Sequence, residues 1–239
     1  MISIDKMQLL AGKPVPLRDL CLVYQPTLQE ITDIGNDTFQ RYLLTLTMGD
    51  QTNKEGEILP AFIFLYGLAC QNTEDKRVIL NALTFFIREE ITLLPGMECF
   101  LIGDIETQRL LRQEDFTDFQ EILLVMHHMQ EPQTYVKGDA NAQAIREKIN
   151  RGQKKVAEIK RKQCQEDSID LPTILSSFLA KNPTISYKEL WDLPYYAFYE
   201  QFIRMQYIEE YDTNLRSALA GAKLPKSALR HWIRKTQTN

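Results

Sequence analysis

Residues 186–221 read SYKELWDLPYYAFYEQFIRMQYIEEYDTNLRSALAG, from Ser186 to Gly221. Nine large aromatic side chains crowd this stretch: Tyr187, Trp191, Tyr195, Tyr196, Phe198, Tyr199, Phe202, Tyr207 and Tyr211. Ser186 and Glu189 have the spacing of a capping box for a short helix through Trp191. Asp192 can cap the next helix, with Pro194 in its first turn, where a missing N–H costs nothing. That helix is expected to reach about Glu210. Asp212 would restart helix over 212–220, and Gly221 suits the position just past a helix end. Tyr195, Phe198, Tyr199, Phe202 and Ile203 share one stripe at helical spacing and are expected to be core. A block of about 70 residues cannot bury nine large aromatics completely. Tyr196, Arg204, Met205 and Tyr207 fall off the stripe. They are the candidate partner-binding residues, because interfaces favour Tyr, Met and Arg.

Working outward, the C-terminal block begins near Asp170. Leu171, Ile174, Leu175, Phe178 and Leu179 give one apolar face, and Asn182-Pro183 ends that helix. Beyond Gly221, Pro225 is expected to open a last short helix carrying Leu229, Trp232 and Ile233. Residues 133–168 differ in character. Ala142, Ile145, Ile149, Gly152, Val156 and Ile159 follow a narrow heptad seam, interrupted by the glycine. Lys148, Arg151, Lys154, Lys155, Lys160, Arg161 and Lys162 flank it. A solvated basic linker helix is the reading favoured here, ahead of a partner-binding helix or a phosphate contact. No aromatic residue lies between Lys137 and Asp170 to stack on bases.

The N-terminal block, 1–132, alternates apolar runs with turn signals. Residues 6–11 and 20–25 are read as a hairpin, with Pro14-Val15-Pro16 excluding helix between them. Thr27 and Glu30 have capping-box spacing for a helix that Gly35 stops. Asp37 can cap the next, on Phe39, Tyr42, Leu43 and Leu46. GDQTNKEG at 49–56 is a polar loop. Pro60 opens an apolar helix to about Cys70, apolar all round and therefore central to the core. Further helices are expected over 75–94 and 115–129. Between them 98–104 reads as a strand, to pair with 109–112 or with the N-terminal hairpin. The fold class is mainly α (α+β): an acidic domain at 1–132 with a small β-hairpin or sheet, the linker helix at 133–168, and a small helical domain at 169–239.

The net charge of −4 is unevenly placed. Residues 1–136 carry 10 Lys/Arg against 20 Asp/Glu, and residues 137–166 carry 9 against 4. An acidic front with one basic segment argues against a general nucleic-acid surface. Cys21, Cys70, Cys99 and Cys164 are far apart, without zinc spacing, and read as reduced thiols of a cytosolic protein. MISIDKMQLL lacks the basic start and apolar run of a signal peptide, and Ile58 to Cys70 is too short to span a bilayer. His127 and His128 are neighbours on an expected helix, point about 100° apart and cannot chelate one metal together. Phosphate-loop, dinucleotide, nucleophile-elbow and zincin motifs are absent from the sequence. Neither an enzyme nor a cofactor is expected.

Two stretches carry a family resemblance. YQPTLQEITDIGNDTFQRYLLTL, Tyr24 to Leu46, is a turn-helix followed by a short aromatic helix. Ser186 to Lys223 ends in YDTNLRSALAGAK. Both resemble tail assembly chaperone-like proteins of tailed phages and prophages of Gram-positive bacteria. The resemblance implies a non-enzymatic chaperone in the host cytoplasm, absent from the finished virion. Its partners would be the tape measure protein and the tail tube protein, bound through apolar and aromatic helix surfaces. Two alternatives remain from the residues alone: a structural virion or neck component, and a nucleic-acid-binding accessory protein acting through Lys148 to Lys162.

Overall fold

The computed structural model describes residues 4–52, 57–104, 106, 109–129 and 170–234. The linker helix expected at 133–168, with its heptad seam, its basic flanks and Cys164, lies outside them. The described chain is mainly helical with small antiparallel sheets, an α+β arrangement.

Helix α1 (Lys6–Leu10) stands where a strand was expected. The Asp5 carboxylate accepts the Met7 N–H at 2.9 Å and nucleates the turn. The hairpin forms one step later, between β1 (Val15–Leu17) and β2 (Cys21–Val23). Val15 faces Val23 and Leu17 faces Cys21 across it. Helix α2 (Leu28–Ile34) has the expected capping box: the Glu30 N–H donates to Thr27 Oγ1 and the Thr27 N–H to Glu30 Oε2. Gly35, at φ 85°, separates it from α3 (Asn36–Leu46), so Gly35 rather than Asp37 holds the cap position. A short ladder joins β3 (Gln51–Thr52) to β4 (Ile58–Leu59). Helix α4 (Ala61–Gln71) follows Pro60 and buries Phe62, Leu65 and Tyr66, as its apolar sequence requires.

Helix α5 (Thr73–Ile87) is shorter than the 75–94 span expected. Arg88 takes the left-handed conformation at its end, and Ile91–Leu94 becomes strand β5. Apolar spacing could not separate the two, because Ile91 and Leu93 continue an apolar pattern that alternation satisfies equally. Strand β6 (Cys99–Ile102) is central, with β5 on one side and β7 (Leu110–Leu111) on the other. All four β6 residues are buried. Helix α6 (Gln113–Met126) closes the N-terminal block. Phe62 meets Phe100 edge-on at 5.8 Å and Phe116 at 5.4 Å, so α4, β6 and α6 share one aromatic core. Arg109 pins that core to the first hairpin. Its guanidinium pairs with Glu89 and donates to the Leu20 carbonyl at 3.1 Å.

Helix α7 (Leu171–Lys181) is capped by Asp170, which accepts the Thr173 N–H at 2.9 Å, and ends at Asn182 as expected. Then come α8 (Tyr187–Trp191), α9 (Tyr195–Leu219) and a final 3-10 turn, Lys226–Leu229. By its contacts the chain divides after 132 and after 186. Described residues up to 129 and those from 187 to 234 form one compact unit, while 170–186 belong to a second. The aromatic C-terminal segment finishes the core of the N-terminal block instead of making its own.

Candidate functional site

Helix α9 is a single 25-residue rod, about 37 Å long at 1.5 Å per residue. The break expected near Asp212 is absent. Only Tyr195, Tyr196 and Phe198 are buried, all within its first turn or so. The helix therefore has an anchored root and an outer part that rests on little else.

The root has an unusual cap. Position Pro194 offers no side-chain acceptor, and Asp192 does not cap it as expected. The N-terminal block supplies the acceptors instead. The Tyr195 N–H donates to the Pro26 carbonyl at 2.9 Å and the Tyr196 N–H to Gln25 Oε1 at 3.3 Å. Gln25 is buried, and its Nε2 donates to the Leu9 carbonyl at 2.7 Å. One amide thus satisfies the end of α1 and the start of α9 together. The Leu28 N–H donates to the Leu193 carbonyl at 3.0 Å, and Thr27 forms an antiparallel bridge with Pro194. Main-chain bonds fix where the root sits, and the aromatic rings then fill the space. Tyr195 lies 5.6 Å from Phe39 and 5.2 Å from His127, centroid to centroid. His128 stacks on Tyr196 at 4.6 Å and meets Tyr199 at 4.9 Å. Burial raises the Tyr195 phenol and pushes Tyr196 up to about 12, so both stay neutral donors at any physiological pH.

The outer part carries two different sides. On one, residues 228–234 fold back against the helix. Arg204 Nη1 donates to the Trp232 carbonyl at 3.1 Å and to the Arg234 carbonyl at 2.7 Å. Arg234 covers the Tyr207 ring at 4.0 Å and pairs with Glu210 at 2.6 Å. Asn214 Nδ2 reaches the Ala228 carbonyl at 2.8 Å, and His231 meets Tyr211 at 5.3 Å. Next to that side, Ile208 and Leu215 are each 37% exposed and Leu219 is 80% exposed. Spaced i, i+7 and i+11, they fall within about 40° of one another on the helix surface. Leu229 and Ile233 add exposed apolar area from the folded-back segment.

Of the four residues expected to bind a partner, Tyr196 is 1% exposed and belongs to the core. A single stripe underestimated the root, because α1 and the end of α6 enclose it beyond the face that packs on α3. Arg204 and Tyr207 hold the folded-back C-terminal segment, and Met205 is half-buried. These four are not gathered into one exposed surface. The residues that are, Ile208, Leu215 and Leu219, share a helical spacing that the sequence contains. Assuming a break at Asp212 placed them on separate helices and hid it. His127, buried, and His128, half-buried, lie just past the end of α6 and set their rings against the root.

Among the described residues no group of His, Cys, Asp and Glu could hold a metal ion, and no helix is long and apolar enough to cross a membrane. No curated protein and no solved structure matches the chain. A family model does match: the YomV second domain, over residues 160–237, about a third of the chain. That span includes α7, α8, α9 and the folded-back segment, so the C-terminal part of this chain is similar to a phage-derived domain family.

Proposed function

We propose that this protein is a non-enzymatic phage tail-assembly chaperone that binds tape measure protein, and tail tube protein with it, through the outer part of α9. The carrying observation is the exposed Ile208–Leu215–Leu219 series on a helix whose root is already bound. An apolar helix face of this kind suits another amphipathic helix laid along it. A long helical client would need such cover until it assembles. The similarity of residues 160–237 to a phage-derived domain agrees with this setting. Action in the host cytoplasm before assembly, without retention in the virion, belongs to the same proposal.

The test is coexpression with the tape measure protein of the same phage or prophage. The chain should raise the client's solubility and co-purify with it. Replacing Ile208, Leu215 and Leu219 together by Ser should abolish co-purification at unchanged helix content. Failure of the wild-type chain to co-purify would sink the proposal. Stoichiometric presence of the chain in purified particles would favour a virion component instead.

A further inference from the structure

We propose that His127 and His128 form an acid-sensitive latch: neutral, they hold the root of α9 on the N-terminal block, and protonated, they release it. Helix α6 ends with the Met129 N–H donating to the Leu124 carbonyl at 2.9 Å and the His128 N–H to the Val125 carbonyl at 3.3 Å. This pair of bonds puts His128 at the left-handed position, φ 54°, that glycine usually fills. A histidine accepts the strain there because its ring stacks on Tyr196 and against Tyr199.

His127 is enclosed more completely. Phe39 of α3, Phe86 of α5 and Tyr195 of α9 surround its ring at centroid distances of 5.7, 5.4 and 5.2 Å. Nδ1 bonds the Leu123 carbonyl at 2.8 Å and so carries the hydrogen. Nε2 is buried without a partner, as is Nε2 of His128. A proton added at His127 Nε2 makes a cation that faces rings and has no acceptor. The titratable groups facing His127 are His128, which disfavours the charge, and the neutral Tyr195 phenol. Around His128, burial chiefly and Lys6 of α1 more weakly disfavour the proton, while Glu200 and the Tyr196 main chain of α9 favour it, beside the rings of Tyr196 and Tyr199. His127 therefore carries most of the effect.

Lifting the first turns of α9 removes Tyr195 from His127 and both tyrosines from His128. The lifted state opens His127 to water on one side, with Phe39 and Phe86 still against it, and opens His128 more fully. Burial lowers His127 to about 4 from an ordinary 6.5 in the docked state. The docked state thus binds fewer protons, so docking is strongest well above pH 6.5 and weakens as pH falls through 6.5 toward 4. His127 alone raises the lifted-to-docked ratio between pH 7 and pH 5 by at most about twentyfold, the value reached if lifting restores its ordinary 6.5.

The latch does not depend on what α9 binds. It is tested on the full chain by amide hydrogen exchange from pH 7.5 to 5, corrected for the intrinsic rate. Opening over 193–203 should rise severalfold, up to about twentyfold, between pH 7 and 5, with α4 and β6 holding their protection. His127→Phe keeps a ring and removes the proton site, and should flatten that rise. Equal opening at both pH values overturns the latch. So does a wild-type rise retained in H127F. Opening of α4 and β6 in step with α9 also overturns it, whether or not the variant folds.

Discussion

Gln25 is an unusual residue to find in a core, and its two bonds explain its presence. It accepts the Tyr196 N–H and donates to the Leu9 carbonyl, which also accepts the Gly12 N–H, so Gln25→Leu strands the Tyr196 N–H away from water. The expected cost is about 1–3 kcal/mol for the one group left unpaired, read as a lower urea midpoint. An unchanged midpoint would mean that water replaces the amide. Gly103 makes a second residue-scale case. Its φ is +70°, and a Cβ there would lie 2.7 Å from Arg109 Nη2, inside the Arg109–Glu89 pair. Gly103→Ala should cost about 1–2 kcal/mol for the left-handed backbone alone, with more if Arg109 is displaced. Individual residues were the least legible level of this sequence. Gln25 reads as a polar residue at a strand end, and its partner lies 171 positions away. Tyr196 falls off the core stripe because helical spacing records one face, whereas two elements enclose the root.

Helices and turns were more legible, wherever local chemistry decides them. The Thr27–Glu30 capping box, the stop at Gly35, the polar turn after Asn182 and Gly221 in its left-handed role are all present as their residue types demand. Where two elements share one apolar pattern, the sequence misled. Residues 75–94 looked like one helix, although Arg88 turns the chain and Ile91–Leu94 pairs with β6. The converse error occurred in α9. Asp212 looked like a fresh cap, yet i→i−4 bonding continues through it, because a single Asp costs a helix interior only a few tenths of a kcal/mol. At this scale the account predicts a sharp contrast along α9. Phe198→Ala at the fully buried root should lose about 3–5 kcal/mol of stability. Leu219→Ala, at the exposed end, should change stability by less than about 0.5 kcal/mol. Equal effects in denaturant titrations would contradict an anchored root and a lightly supported outer part.

For the whole molecule, class was easier to read than assembly. The balance of helix and small antiparallel sheets follows from spacing and turn signals. The partition does not, because the bonds that join residues 187–198 to residues 24–39 involve Pro26, Gln25 and main-chain groups, which leave no periodic trace. A protease site inserted at residue 150 and cut should therefore leave the two fragments co-eluting at neutral pH. Separation of the fragments would place the root's bonds among weak contacts. Under the proposed function the root and the outer part of α9 have different tasks: the first is integral to the fold, and the second would be offered to a client. A photo-crosslinking residue placed in turn at 208, 215 and 219, with controls at the exposed N-terminal positions 44 and 97, tests that division directly during coexpression with the tape measure protein. The account predicts crosslinks to the client from the three α9 positions and none from the two controls. Crosslinks from 44 or 97 with none from α9 would contradict it.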